Sequence, residues 1–257
     1  MCENLKTAIH EMTNRIVEIL GDCAPSIYLH GSCVMNDFRL GWSDIDILVL
    51  TEQPIERVQA EKLVSLRQTM SEGEPNCPFY RCFEGGMLTL DAFVSHVPGV
   101  AVYWGTSGQR ITDRYELDAC SMTELLDFGV LLQGEDVRGM FVRPSDEDLK
   151  AHVRSHLEAI RKYARKTGRS LYSFGWMLDI SRGLYTLRTG KIISKTAAGE
   201  WALREGLCPV AEALTLALEV RREPMRYRDD AAMMDRAAQM GDAIQCYADV
   251  LERELDI

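Results

Sequence analysis

Residues 30–50 read HGSCVMNDFRLGWSDIDILVL, and the fold turns on how this stretch is built. Upstream, Ser26–His30 (SIYLH) is a short apolar strand candidate that ends at Gly31. Downstream, Asp44–Leu50 (DIDILVL) is almost all β-branched residues and leucine once its two carboxylates are passed, the composition of a second strand. Side chains alternate along a strand, so Asp44 and Asp46 share one face while Ile45 and Ile47 share the other. Two carboxylates that close repel each other and raise a pKa. A hard divalent cation relieves the conflict, and Mg²⁺ favours oxygen ligands and shares its shell with substrate phosphates. Gly31 permits close backbone approach, and the Ser32 hydroxyl and neighbouring amides suit a phosphate. Taken alone, a DxD pair at a strand start also describes a solvated turn.

Working outward, Leu5, Ile9, Met12, Ile16 and Ile19–Leu20 keep helical spacing, and Gly21 and Pro25 stop that helix. A second helix is expected from Pro54 to Met70, then a loop marked by Gly73, Pro75 and Pro78. Gly86–His96 (GMLTLDAFVSH) reads as a third strand in which Asp91 interrupts an apolar run, a costly place for a carboxylate without a partner or a task. Residues 100–113 suggest a loop or short elements. Ser121 with Glu124 has the form of a capping box opening a helix to about residue 132. After Pro144 the chain turns helical: Ser145 and the acidic residues behind it start a helix to about residue 167, and others follow near 172–188, 195–205, 210–221 and 229–255.

Charge changes at the same place. The 257 residues carry a formal net charge of -10, and 46% are hydrophobic, enough for a substantial core. Residues 1–150 hold 24 acidic and 12 basic side chains, and the remainder 15 and 17. Two domains are therefore expected, residues 1–143 mixing strands and helices and residues 144–257 all-helical. The acidic balance disfavours nucleic acid and anionic membrane as partners and favours a cationic small molecule. Eight cysteines without a CxxC pair, no leader pattern and no long apolar run imply reduced thiols in a cytoplasmic protein. His152 and His156 lie four apart without an HExxH motif and read as helix surface.

Gly31–Ser32 followed by Ser43–Asp44–Ile45–Asp46 resembles the signature of the nucleotidyltransferase superfamily, which includes aminoglycoside adenylyltransferases and DNA polymerase β. Ser181–Tyr185 (SRGLY) with Leu187–Leu203 (LRTGKIISKTAAGEWAL) resembles the helical domain of the streptomycin/spectinomycin adenylyltransferases, and Leu131–Phe141 (LLQGEDVRGMF) their linker. The likeness covers nearly the whole chain and, apart from the strand around Asp91, is faint between residues 51 and 120.

The resemblance implies an α+β fold: an N-terminal nucleotidyltransferase domain with a small mixed sheet flanked by helices, then an all-helical C-terminal bundle for nucleotide closure and acceptor binding. It implies Mg²⁺-dependent transfer of AMP from ATP to a hydroxyl of an aminoglycoside or aminocyclitol. Asp44 and Asp46 would ligate metal. Asp91 would be the third carboxylate, as metal ligand or base, with Glu84 in its place if the strand phase differs. Gly31, Ser32, Ser43, Arg182 and Lys195 would contact the nucleotide, and Tyr185, Tyr172 and Asp179 are candidates for the acceptor side. Tyr172 departs from the family's pattern, which places an acidic residue about ten positions before the arginine matching Arg182. A protein or RNA acceptor and a non-catalytic nucleotide-binding role are the alternatives. A monomer is expected, with a homodimer left open.

Overall fold

The computed structural model of the chain describes residues 1–256. They divide into two compact units: Met1–Phe38 with Ser43–Arg143, and Arg39–Trp42 with the chain from Pro144 onward.

The first unit holds a mixed six-stranded sheet in the order β5-β4-β3-β2-β1-β6. Its strands are β1 (Ser26–His30), β2 (Ile45–Thr51), β3 (Phe83–Thr89), β4 (Ala101–Gly105), β5 (Gly108–Thr112) and β6 (Val130–Gln133). β1 and β2 are antiparallel, with His30 opposite Asp46 and Tyr28 opposite Leu48. β2 and β3 are parallel, with Asp46 opposite Glu84. Its helices are α1 (Glu3–Leu20), α2 (Arg57–Gly73), α3 (Leu90–Ser95) and α4 (Ala119–Phe128). Tyr28, Leu48, Leu50 and Leu88 bury one sheet face with Phe93 and Leu125. On the other face Trp104 is fully buried and donates its indole N–H to the Leu63 carbonyl of α2 at 2.9 Å. Alternation thus gives the sheet two apolar faces, and the polar residues gather where the strands begin or end.

Several details differ from the sequence reading, among them the end of the helix expected to run to about residue 132, where Val130–Gln133 is instead β6, and the stretch 100–113, which is the β4–β5 hairpin. The third strand is Phe83–Thr89 rather than 86–96, and the chain turns into α3 at Leu90, where the Thr89 hydroxyl accepts the Ala92 amide as a helix cap. Two glycines, Gly85 and Gly86, hid the start of β3, because propensity disfavours them in strands. Gly86 nevertheless has a packing reason: the Tyr115 ring lies 2.1 Å from where a Cβ would stand. Asp118 rather than Ser121 caps α4, accepting the Ser121 amide at 2.8 Å.

The second unit is all-helical: α5 (Asp146–Tyr163), α6 (Gly175–Thr189), α7 (Lys195–Arg204), α8 (Ala211–Arg222), α9 (Pro224–Tyr227), α10 (Ala231–Ala237) and α11 (Gly241–Leu255). The Ser145 hydroxyl accepts the Asp148 amide while Asp148 accepts the Ser145 amide, so the start of α5 is satisfied from both sides. One core runs through Leu157, Ile160, Phe174, Leu178, Leu184, Leu218, Tyr247 and Leu251. Trp42 belongs to that core, with its ring 5.8 Å from Tyr172 and the Arg221 guanidinium 5.7 Å away. Among the described residues no helix is long and apolar enough to cross a membrane.

Candidate active site

Strand pairing in the first unit brings the carboxylates together. Asp44 precedes β2, Asp46 is its second residue, and Glu84 is the second residue of β3, in register with Asp46. Residues paired across a ladder share a face, so Asp46, Glu84 and His30 stand on the same side of the sheet.

Behind them lies the turn Gly31–Cys33. Gly31 has φ +67°, and a Cβ there would sit 2.1 Å from Asp46 Oδ2. Any other residue would push the carboxylate aside, so glycine is required by both conformation and contact. The Ser32 hydroxyl donates to the Asp44 carbonyl at 3.4 Å, tying the turn to the start of β2. Ser43 is buried directly before Asp44.

Glu84 is electrostatically unusual. Burial first, and the Asp44 carboxylate second, push its pKa up to about 7, against the opposing pull of Arg67 and the Thr106 amide. Arg67, from α2, donates to the Phe83 carbonyl at 2.6 Å, and burial lowers its own pKa. Burial likewise drives His30 down to about 4, with Asp118 opposing, so its imidazole is neutral near pH 7. Burial, then Asp46, raises Cys33 to about 12; burial, then Asp44, raises Cys82 to about 11, and both remain thiols. A half-buried carboxyl that stays hard to ionise, with two more carboxylates beside it, is a donor set suited to a hard divalent cation.

Asp91 does not join this group. It is exposed in the first turn of α3, accepting a hydrogen bond from the Ser95 hydroxyl at 3.4 Å. β3 runs parallel to β2, so Glu84 lies at the Asp46 end and Asp91 beyond the opposite end, at least about 17 Å along the strand. The strand starts three residues earlier than the sequence reading placed it, and the residue in register with Asp46 is Glu84, the alternative that reading named. Arg67, Tyr115 and Asp118 escaped the sequence reading, since each comes from outside the motif stretch. The nearest signal was Tyr115 and Asp118 beside the α4 start.

In the second unit, Asp179 and Lys195 meet as an ion pair at 2.7 Å, with His156 Nε2 3.6 Å from the same carboxylate. The Asp179 side chain is only 17% exposed. Burial alone would raise its pKa, but Lys195 and then His156 hold it well below the usual carboxylate range. His156, expected on the helix surface, keeps 37% of its side chain exposed, and it stacks on His152 and packs on Trp176. Tyr185 meets Trp201 edge-on with centroids 5.2 Å apart, and Tyr172 is exposed beside Trp42. Arg182 is half-buried on α6, one turn from Asp179.

Known proteins share this architecture. A nucleotidyltransferase domain family matches residues 14–75, and the family described as aminoglycoside adenylyltransferase, C-terminal domain, matches residues 140–241. Spectinomycin 9-adenylyltransferases of Staphylococcus aureus are 23% identical over 198 residues, covering 73% of this chain and 74% of theirs. A crystal structure of a spectinomycin adenyltransferase from Enterococcus faecialis, with ATP and spectinomycin, has a TM-score of 0.67 at 18% identity, over 96% of this chain and 99% of that one. At that identity the likeness speaks for the fold. One match covers Gly31–Ser32 and the Asp44–Asp46 pair and the other the helices behind Pro144, and the chain is accordingly a nucleotidyltransferase belonging to the aminoglycoside adenylyltransferase family.

Proposed function

We propose that the enzyme transfers AMP from ATP to a hydroxyl of an aminocyclitol or aminoglycoside, with spectinomycin the first acceptor to test. The observation that carries this reading is the register of β2 and β3, which puts Asp46 and Glu84 side by side next to the Gly31–Ser32 turn. Asp44 and Asp46 would hold Mg²⁺, whose charge, when bound, offsets that of the triphosphate. Glu84 takes the role that the resemblance gave to Asp91. With its pKa near 7, Glu84 is about half ionised at neutral pH, and that ionised form can accept the proton of the attacking hydroxyl. The hydroxyl oxygen bonds to the α-phosphorus, the bond from that phosphorus to the bridging oxygen breaks, pyrophosphate leaves, and the proton passes to Glu84 Oε.

From the second unit, Lys195 and Arg182 are assigned to the nucleotide phosphates by the family resemblance. Lys195 would have to exchange Asp179 for a phosphate, so Asp179 serves as its resting partner. Tyr172 and Tyr185 are the candidates for shaping the acceptor pocket. The acidic excess of residues 1–150 favours a cationic acceptor.

Incubation with ATP, Mg²⁺ and an acceptor panel, followed by pyrophosphate release and product mass, tests the proposal. An AMP adduct on spectinomycin or another aminocyclitol or aminoglycoside supports it. ATP-dependent labelling of protein or RNA with no small-molecule adduct would refute it.

A further inference from the structure

One polar side chain beside the carboxylates has no task in the reaction as described. His30 closes β1 immediately before Gly31–Ser32 and is 5% exposed, and neither Nδ1 nor Nε2 has a hydrogen-bond partner. Buried polar atoms are nearly always paired, and leaving them unpaired costs stability that an apolar residue of similar shape would not. His30 is paired across the ladder with Asp46, so it stands on the carboxylate face, and its backbone leads directly into the turn that holds the Ser32 hydroxyl. The imidazole N–H, the turn amides and that hydroxyl are all donors, which is the chemistry of a site for anionic oxygen.

We propose that His30 is a nucleotide-contacting residue whose imidazole N–H donates to a phosphate oxygen of the bound nucleoside triphosphate. Both nitrogens are sealed, so the contact requires the Gly31–Cys33 turn to shift. Gly31, in the left-handed region, can take up that change in backbone angle. The stability given up to an unpaired imidazole is then recovered when ligand binds, as for other strained or unsatisfied groups at functional sites. The inference rests on the reading of this unit as an ATP site.

Calorimetric titration with α,β-methylene-ATP and Mg²⁺, alongside thermal unfolding without nucleotide, separates the two ideas. The variants are His30→Phe, the smaller His30→Leu, and His30→Gln, which keeps a donor. Expected is binding about tenfold weaker or more in both apolar variants, the effect of losing one hydrogen bond in a buried site. Their unfolding temperature without nucleotide should equal or exceed that of the wild type, and His30→Gln should bind within about threefold of it. Apolar variants that bind like the wild type would overturn the role of His30 and leave the ATP site standing. Apolar variants that melt earlier, or do not fold, would mean that the imidazole is paired within the fold, and would also overturn it. A wild-type chain that does not bind the analogue would instead remove the ATP site itself.

Discussion

Replacing Glu84 by glutamine should inactivate the enzyme and stabilise it, and the second effect has a defined pH dependence. In the folded chain the Glu84 carboxyl titrates near 7 because burial and Asp44 disfavour its charge, whereas in the unfolded chain it titrates near its ordinary value of 4.5. At pH 4 both states are protonated and the residue contributes nothing. Between 4.5 and 7 the unfolded chain ionises first, so stability falls as pH rises, and above 7 the full penalty is present. Carried in full, the displacement from 4.5 to 7 corresponds to about 3 kcal/mol. The side chain is only partly buried, and solvent screening reduces this to about 1 kcal/mol. The Gln variant has no such penalty. In EDTA, its unfolding midpoint should exceed that of the wild type by about 2–4 °C at pH 8 and match it at pH 4.5. Turnover should fall by about 10²–10⁴-fold, the usual contribution of a general base. A variant destabilised at pH 8, or stabilised equally at both pH values, would refute the electrostatic reasoning; one with wild-type turnover would refute the assignment of the base.

Asp91→Asn, at the far end of β3, should leave turnover within about twofold of wild type, since surface changes away from a site rarely matter. Asp44→Asn and Asp46→Asn should each cut turnover by about 10² or more and weaken the Mg²⁺ dependence of activity, read by titrating the metal. Gly31→Ala should lower stability by about 1–2 kcal/mol for the left-handed backbone alone and displace Asp46, so activity should fall far more than the melting temperature suggests. Asp179→Asn leaves Lys195 without its carboxylate and should destabilise the helical unit by about 2–3 kcal/mol in urea titrations, below the usual cost of a broken buried pair because both side chains keep some exposure.

The fold class was legible because its signals are local and redundant. Ser26–His30 was read to the residue, and β2 and the helices from α5 to α8 to within a few, from runs and periodicities that tertiary packing then reinforces, whereas the single stretch expected at 229–255 divides into α10 and α11. β3 was misplaced for a reason equally physical. Gly85 and Gly86 look like a break in the sequence, but Gly86 is small because Tyr115 lies on it, and a Cβ on Gly85 would meet the Ile47 carbonyl. Both glycines answer to residues distant in the chain, which periodicity cannot see. The same blindness applies to Arg67, whose proximity to Glu84 follows from α2 lying against the start of β3.

That error also bears on how such sites are read from a motif. The pair Asp44 and Asp46 is fixed by two-residue alternation within one strand, so a sequence pattern can define it. A third carboxylate must come from a neighbouring strand, and only register decides which one. In a parallel pair a shift of one residue turns every side chain to the other face. Glu84 satisfies both conditions at once: it is opposite Asp46, and it is on Asp46's face. Asp91 satisfies neither, although it is the more conspicuous carboxylate in the sequence because apolar residues flank it. Its apolar neighbours Leu90, Ala92 and Phe93 belong to an amphipathic turn of α3, where an exposed aspartate in the first turn is favoured by the helix dipole. The conspicuous residue is thus explained by local helix chemistry, and the inconspicuous one by strand pairing across 38 residues, from Asp46 to Glu84.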